Sequence, residues 1–289
     1  MFRRALVVGV TGMVGSRLAE QLLREGFSVV GLSRGSRTWF DQIEYLKVNL
    51  LDYRDSEAAL SQLRDITHVF YAARADHGEG GTEPIESNFS ILRHVIELVE
   101  KYSPKLEHVH VVHGTKYYGG HLGPFKTPAL EDDPRHIGQN FYYDQEDYLV
   151  SRSGKWSWSI SRPALIYDFA PLQSRNPVSL IAVYGALSRA SCMPLAYPGS
   201  AASFRRITEG VAACHLAKAI VWIATRKQCA NKAFNVTNGD CFRWQNLWPE
   251  IAAFFVLPVG HPRNIVLADA MVDKGRVWAD IVDGAKLKQ

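Results

Sequence analysis

The stretch Ala5-Leu6-Val7-Val8-Gly9-Val10-Thr11-Gly12-Met13-Val14-Gly15-Ser16-Arg17-Leu18-Ala19-Glu20-Gln21-Leu22 decides the fold. Its opening is an apolar, valine-rich run, strand-like over 5–10. Its end places Val14, Leu18 and Leu22 at i, i+4 and i+8, one face of a helix over 13–25. Three glycines lie between. In a strand–turn–helix context the first permits a tight turn, the second lets backbone approach a pyrophosphate, and the third lets helix pack closely on strand. The helix start then offers unpaired N–H groups and a positive dipole end to phosphate. Gly9, Thr11, Gly12, Met13, Val14 and Gly15 are therefore expected to hold a dinucleotide.

Outward from this loop, strand-like runs at 28–33, 45–50, 67–73 and 108–113 alternate with helical patterns at 55–64 and 85–102. Such alternation predicts βαβ units and a parallel sheet. The runs are apolar on both faces, as a sheet covered by helices on both sides requires. The stretch 114–140, rich in Gly, Pro and charge, reads as a long ordered loop, and loops of that length in a compact fold are usually functional. Lys155 to Tyr167 returns as a strand. Beyond it we expect helices over 178–190, 209–226 and 244–255, a strand at Ala233 to Val236, and a polar helix near 267–282. The expected fold is α/β, a Rossmann-type doubly wound parallel sheet with a smaller C-terminal substrate-binding region. Residues 1–166 would form the dinucleotide-binding domain with the long loop and the helix after it, and 167–289 the smaller region, with the strand near 233–236 returning to the sheet.

Composition narrows the class. A chain of 289 residues, 47% hydrophobic and 21% charged, is long enough for a full core. The 33 Lys and Arg against 29 Asp and Glu are spread without a basic run, which argues against nucleic acid. Cys192, Cys214, Cys229 and Cys241 are irregularly spaced, excluding a zinc ribbon or a redox C-x-x-C and suggesting reduced thiols. No signal peptide is read at Met1-Phe-Arg-Arg and no apolar run suits a bilayer, so a cytoplasmic protein without membrane association is expected. A homodimer is left open.

The second strand chooses the cofactor. An NAD enzyme would usually end it with Asp or Glu to hold the ribose 2′-hydroxyl. Here the chain reads Gly31-Leu32-Ser33-Arg34-Gly35-Ser36-Arg37. A hydroxyl and two guanidinium groups, Ser33, Arg34 and Arg37, suit a 2′-phosphate through charge-assisted hydrogen bonds, so NADP(H) is preferred.

The G-x-x-G-x-x-G spacing resembles the extended short-chain dehydrogenase/reductase superfamily. That likeness implies an adenine-flanking role for Asn49 and Leu50, and a nicotinamide-lining role for Tyr71, Ala72 and Ala73. It also sets Pro163 and Ile166 beside the nicotinamide. The superfamily's catalytic Ser or Thr and its Tyr-x-x-x-Lys helix are both missing. After the fifth strand the chain reads His113-Gly114-Thr115-Lys116-Tyr117-Tyr118-Gly119, with Gly114 where the serine would align. Farther on, Asn140-Phe141-Tyr142-Tyr143-Asp144-Gln145-Glu146-Asp147 puts Glu146, not Lys, four residues after Tyr142.

These departures, with Gly123-Pro124-Phe125, Ser161-Arg162-Pro163, Phe234-Asn235, Trp244, Leu247-Trp248 and Asp273-Lys274-Gly275 through Val277-Trp278, resemble the progesterone 5β-reductase/iridoid synthase family over nearly the whole chain. The resemblance implies NADPH-dependent reduction of the C=C bond of a small α,β-unsaturated ketone or aldehyde. Tyr142 would hydrogen-bond the substrate carbonyl and Lys116 assist from the neighbouring loop. Hydride arriving at the β-carbon makes the carbonyl oxygen an enolate, which calls for donors and positive potential there. Lys116 would either favour an ionised Tyr142 or steady the developing charge. His113, Gly114 and Tyr142 would also touch the cofactor. A carbonyl reductase or epimerase of the extended type is the first alternative, disfavoured by the absent lysine. A non-catalytic NADP(H)-binding regulatory protein is the second.

His108 and His110 share a strand face while His113 points the other way, so no three-ligand metal site is expected. Trp156, Trp158 and Ile160 alternate onto one core face, and Trp244 and Trp248 are core on their helix. His113, Tyr117 and Ser161 replace a threonine and two histidines of the family pattern. The family usually continues beyond the Asp273 segment, so the end at Gln289 implies a short form or a missing C-terminal piece.

Overall fold

The computed structural model describes residues 3–35, 41–77, 82–170 and 176–287. Its main sheet has seven parallel strands: β1 (Arg4–Val8), β2 (Ser28–Ser33), β3 (Glu44–Lys47), β4 (His68–Tyr71), β5 (His108–Val112), β6 (Ser157–Pro163) and, from much later in the chain, β10 (Lys232–Val236). Their spatial order is β10-β6-β5-β4-β1-β2-β3. The order reverses at β1, and that switch point is where ligands meet such a sheet.

Both faces are covered, and the central strands β1 and β2 are largely apolar on both. On one face α1 (Met13–Arg24) and α7 (Ala213–Ala224) pack against Ala5, Val7, Val29 and Phe70. On the other, α2 (Tyr53–Leu60), α3 (Ile85–Tyr102) and α4 (Phe141–Ser151) pack against Leu6, Val8, Leu32, Val69, Val109, Val111 and Ile160. Asp52 starts α2 by accepting from the amides of Arg54 and Asp55, and Asn140 starts α4 by accepting from that of Tyr142. Trp156 and Trp158 are buried with Ile160 in the second core.

Polar groups tie β5 to β6 inside this apolar sheet. His108 Nδ1 lies 2.8 Å from Ser157 Oγ and its Nε2 2.7 Å from Ser159 Oγ. His110 Nδ1 lies 2.8 Å from Ser159 Oγ and its Nε2 3.1 Å from Ser161 Oγ. Ser157 gives its one hydroxyl proton to the Glu107 carbonyl, so it accepts from His108 Nδ1–H. The rest follows from proton counting: Ser159 donates to His108 Nε2 and accepts from His110 Nδ1–H, and Ser161 donates to His110 Nε2. Both histidines are satisfied only when neutral. Burial, with the neighbouring histidine charges, holds His108 down to about 3 and His110 well below its ordinary value.

The chain divides into two compact units, 1–166 with 211–237, and 167–210 with 238–289. The span returning to the first unit is therefore longer than the expected strand alone, because α7 comes back with β10. The second unit holds α5 (Pro177–Ala190), α8 (Trp244–Phe254) and α10 (Gly275–Gly284), with Trp248 and Leu195 buried at its centre. The expected helix 209–226 is corrected: 207–212 is strand β9 (Ile207–Ala212), whose first residues pair antiparallel with β11 (Cys241–Arg243), and the helix begins only at Ala213. The expected helix near 267–282 is two pieces, Leu267–Ala270 and α10, and the expected strand 155–167 is two, β6 and β7 (Leu165–Tyr167). Among the described residues no helix is long and apolar enough to cross a membrane.

Candidate active site

The phosphate loop is built by close approach. Gly9 sits at φ +83°, and a Cβ there would press within 3.0 Å of the Ala72 and Ala73 backbone. A Cβ on Gly15 would lie 2.1 Å from the Gly9 carbonyl oxygen, so only glycine lets α1 sit this near the turn. Gly12 caps the helix without a side-chain hydrogen bond, and no acidic residue lies in the first turn. A helix start of this kind, at the sheet's switch point, fits an anionic phosphate.

Ser33 ends β2, its hydroxyl 2.7 Å from that of Tyr45. Arg34 pairs with Asp76 at 2.7 Å, and this carboxylate raises its pKa above the ordinary arginine value. Arg37 lies outside the described residues. Asn49 and Leu50 follow β3. The Asn49 amide donates to Asp55, its side chain accepts from the Leu51 amide, and Leu50 is buried. Tyr71, Ala72 and Ala73 leave β4. The Tyr71 hydroxyl is buried without a partner among the described residues, and burial drives its pKa up. Pro163 ends β6 and Ile166 lies in β7, half-buried against the first core.

Beyond β5 the chain makes a single 3₁₀ turn over Thr115–Tyr118, which carries Lys116. Gly114 precedes it in extended backbone. A Cβ on Gly114 would stand 3.6 Å from the Tyr142 hydroxyl and 3.5 Å from the Pro163 carbonyl, so Tyr142 reaches the position at which the superfamily serine would align. The Tyr142 ring stacks on His113, centroids 4.3 Å apart. Its hydroxyl has no hydrogen-bond partner among the described residues. Burial pushes Tyr142 up to about 12; Arg74 pulls it down and Glu83 adds to the rise. At neutral pH it is a phenol, ready to donate. Tyr143, by contrast, is committed: its hydroxyl donates to the Tyr117 carbonyl at 2.6 Å and accepts from the His136 amide at 3.0 Å.

His113 is fixed from behind. Gln145 donates to the Asn88 carbonyl at 2.9 Å, leaving its oxygen to accept from His113 Nε2 at 3.2 Å. His113 is thus neutral, its Nδ1 a buried acceptor, and burial beside Arg162 keeps its pKa well below the ordinary value.

Sequence reasoning missed two charged neighbours of this site. Lys116 donates to Glu83 at 2.7 Å, and Arg74 grips the same carboxylate. Burial pushes Glu83 upward, but the hydrogen bonds from Lys116 and Arg74 outweigh it and bring Glu83 to about 2. Arg74 directly follows the Tyr71-Ala72-Ala73 segment and was legible by position. Glu83 lies just before α3 and belongs to no motif.

The glycine loop at the switch point of a parallel sheet covered by helices on both faces defines a protein of the Rossmann-type α/β class. Residues 52–277 match the PRISE-like Rossmann-fold domain, and the chain belongs to that family. It is 36% identical to the 3-oxo-Delta(4,5)-steroid 5-beta-reductase of Arabidopsis thaliana, covering 99% of this chain and 78% of that protein. It is 34% identical to the (S)-8-oxocitronellyl enol synthase of Catharanthus roseus, covering 96% and 76%. In fold it is similar to the UDP-glucose 4-epimerase of Thermotoga maritima, with a TM-score of 0.71 and 18% identity over 90% of this chain and 86% of that one.

Proposed function

We propose that this chain is an NADPH-dependent reductase of the C=C bond of α,β-unsaturated ketones or aldehydes, with Tyr142 and Lys116 acting on the carbonyl oxygen. The observation that carries the reading is Tyr142: its ring is buried, its hydroxyl has no partner among the described residues, and it stands next to Gly114 at the end of β5. When bound, NADPH supplies hydride to the β-carbon. Electron density then moves to the carbonyl oxygen, where a neutral phenol donates a hydrogen bond and need not surrender its proton; the enolate takes its proton at the α-carbon from water, giving the saturated carbonyl. Of two roles open to Lys116, steadying that charge suits a phenol held at about 12 better than ionising it. Similarity to a steroid reductase and an enol synthase, by their names, supports the reaction class.

Carbonyl reduction and epimerisation fit less well. Gly114 offers no hydroxyl, and a carboxylate, Glu146, replaces the lysine that would lower the tyrosine pKa.

Ser33 and Arg34 support NADPH over NADH, with the guanidinium shared between Asp76 and the 2′-phosphate. Replacing Arg34 with Ala should shift the preference toward NADH by about tenfold, read as the ratio of the two dissociation constants. The four free cysteines accord with a cytoplasmic location.

Incubation with NADPH and 2-cyclohexenone, then progesterone or 8-oxogeranial, should yield the saturated carbonyl product and no allylic alcohol. Tyr142→Phe should lower kcat by about a hundredfold. Equal activity of that variant sinks the mechanism, and nucleotide binding without turnover of any enone sinks the reading.

A further inference from the structure

The turn that carries Lys116 is gripped from α4 at three points. Asn140, the residue that starts the helix, turns its amide nitrogen to the Lys116 carbonyl at 2.9 Å. Tyr143 donates to the Tyr117 carbonyl at 2.6 Å. Glu146 accepts from the Tyr117 hydroxyl at 2.9 Å. The Glu146 carboxylate also takes Arg162 at 2.8 Å and Arg135 at 2.9 Å. Arg162, its side chain 1% exposed, lies 3.3 Å above the Tyr117 ring and donates to the Tyr118 hydroxyl. Tyr117 is thus held at its carbonyl, its hydroxyl and its ring face.

All three side chains have their polar atoms paired, and each bonds the turn. We propose that Asn140, Tyr143 and Glu146 are positioning residues, a clamp from the helix bearing Tyr142 that fixes the Lys116 turn against it. The N-x-x-Y-x-x-E spacing then has a geometric meaning distinct from that of Tyr142. Glu146 follows Tyr142 by one helical turn, and in place of a cation acting on the phenol it supplies an anion that organises the neighbouring loop through Arg162 and Tyr117.

The inference rests on the catalytic reading above for its kinetic consequence but not for its structural one. The clamp is tested with Tyr117→Phe and Tyr143→Phe, each deleting one oxygen, and with Glu146→Gln, which also unbalances Arg162. Two readouts are taken: kcat for 2-cyclohexenone with NADPH, and the rate at which acetic anhydride modifies Lys116, followed by mass spectrometry with the NADPH dissociation constant as a control. The two phenylalanine variants should each lower kcat by about tenfold with little change in KM, because a small misplacement of a catalytic group costs that much. Lys116 should be modified faster in both, and the double variant should be little worse than either single one, since they act as one unit.

If the wild-type protein turns over no enone, the functional reading fails while the labelling still decides the clamp. Unchanged labelling and unchanged kcat in both phenylalanine variants overturn the proposal, as does a lowered Tm with both readouts unmoved, which marks a merely structural bond. If Glu146→Gln does not fold, the two phenylalanine variants decide alone.

Discussion

Two residues show how local geometry fixes what a position will accept. Gly15 has no room for a methyl group, since its Cβ would fall 2.1 Å from the Gly9 carbonyl oxygen. Gly15→Ala must push α1 off the turn, and we expect it to destabilise the protein by about 2 kcal/mol or more and to abolish nucleotide binding, measured by urea melts and fluorescence titration. Val256 presents the opposite case. It follows α8 at φ +57°, a conformation costly for a β-branched residue, while its amide and that of Leu257 close the helix end onto the Ala253 and Ala252 carbonyls at 2.9 Å. The side chain is exposed, so Val256→Gly forfeits little packing. It should raise stability by about 1 kcal/mol, seen as a higher Tm; a lower Tm would show that the valine packs usefully.

At the scale of the element, the hydroxyl–imidazole ladder between β5 and β6 behaves as one polarised unit. Ser159 serves both histidines, so Ser159→Ala leaves two buried nitrogens without partners and should cost about 2 kcal/mol or more, read as a lower urea midpoint at unchanged m-value. The Nδ1–H tautomer at both histidines is checked by nitrogen NMR. This ladder was not legible beforehand: the alternation of His108 and His110 placed them on one face, but their serine partners depend on the β5–β6 register, which is set by tertiary packing. The elements themselves were largely readable, because the sheet strands are short, mainly β-branched or apolar runs between helices with a clear buried stripe. Ile207 to Ala212 misled because its apolar residues run on into α7, and only pairing with β11 identifies it as a strand. The candidate site divided in the same way. Tyr142 and Lys116 stand out within short motifs, whereas Glu83, 33 residues before the lysine it pairs with, is brought there by the fold alone.

For the whole molecule, buried imidazoles dictate the response to acid. His68 is held at about 4 and His108 at about 3, with His110 and His113 well below the ordinary 6.5, in each case chiefly through burial. The unfolded chain takes up these protons near pH 6.5 while the folded chain refuses them, so the unfolded state binds more protons below that value. Stability is complete above about pH 6.5 and falls as the pH drops toward 4 and then 3, by about 1.4 kcal/mol per pH unit for each such group. Melting curves from pH 7.5 to 5 should show a steadily declining Tm; a flat profile would mean that one or more of these imidazoles is protonated in the fold. Below about pH 4.5 Glu83 adds to the decline, because the unfolded chain protonates this carboxylate while in the fold Lys116 and Arg74 hold its charge to about 2. The ladder carries one last implication, for descent. Since every proton in it points the same way and no member can be exchanged without stranding its neighbours, Ser157, His108, Ser159, His110 and Ser161 should be inherited or lost as a block. A lineage that replaces them must pass through less stable ancestors or change several at once.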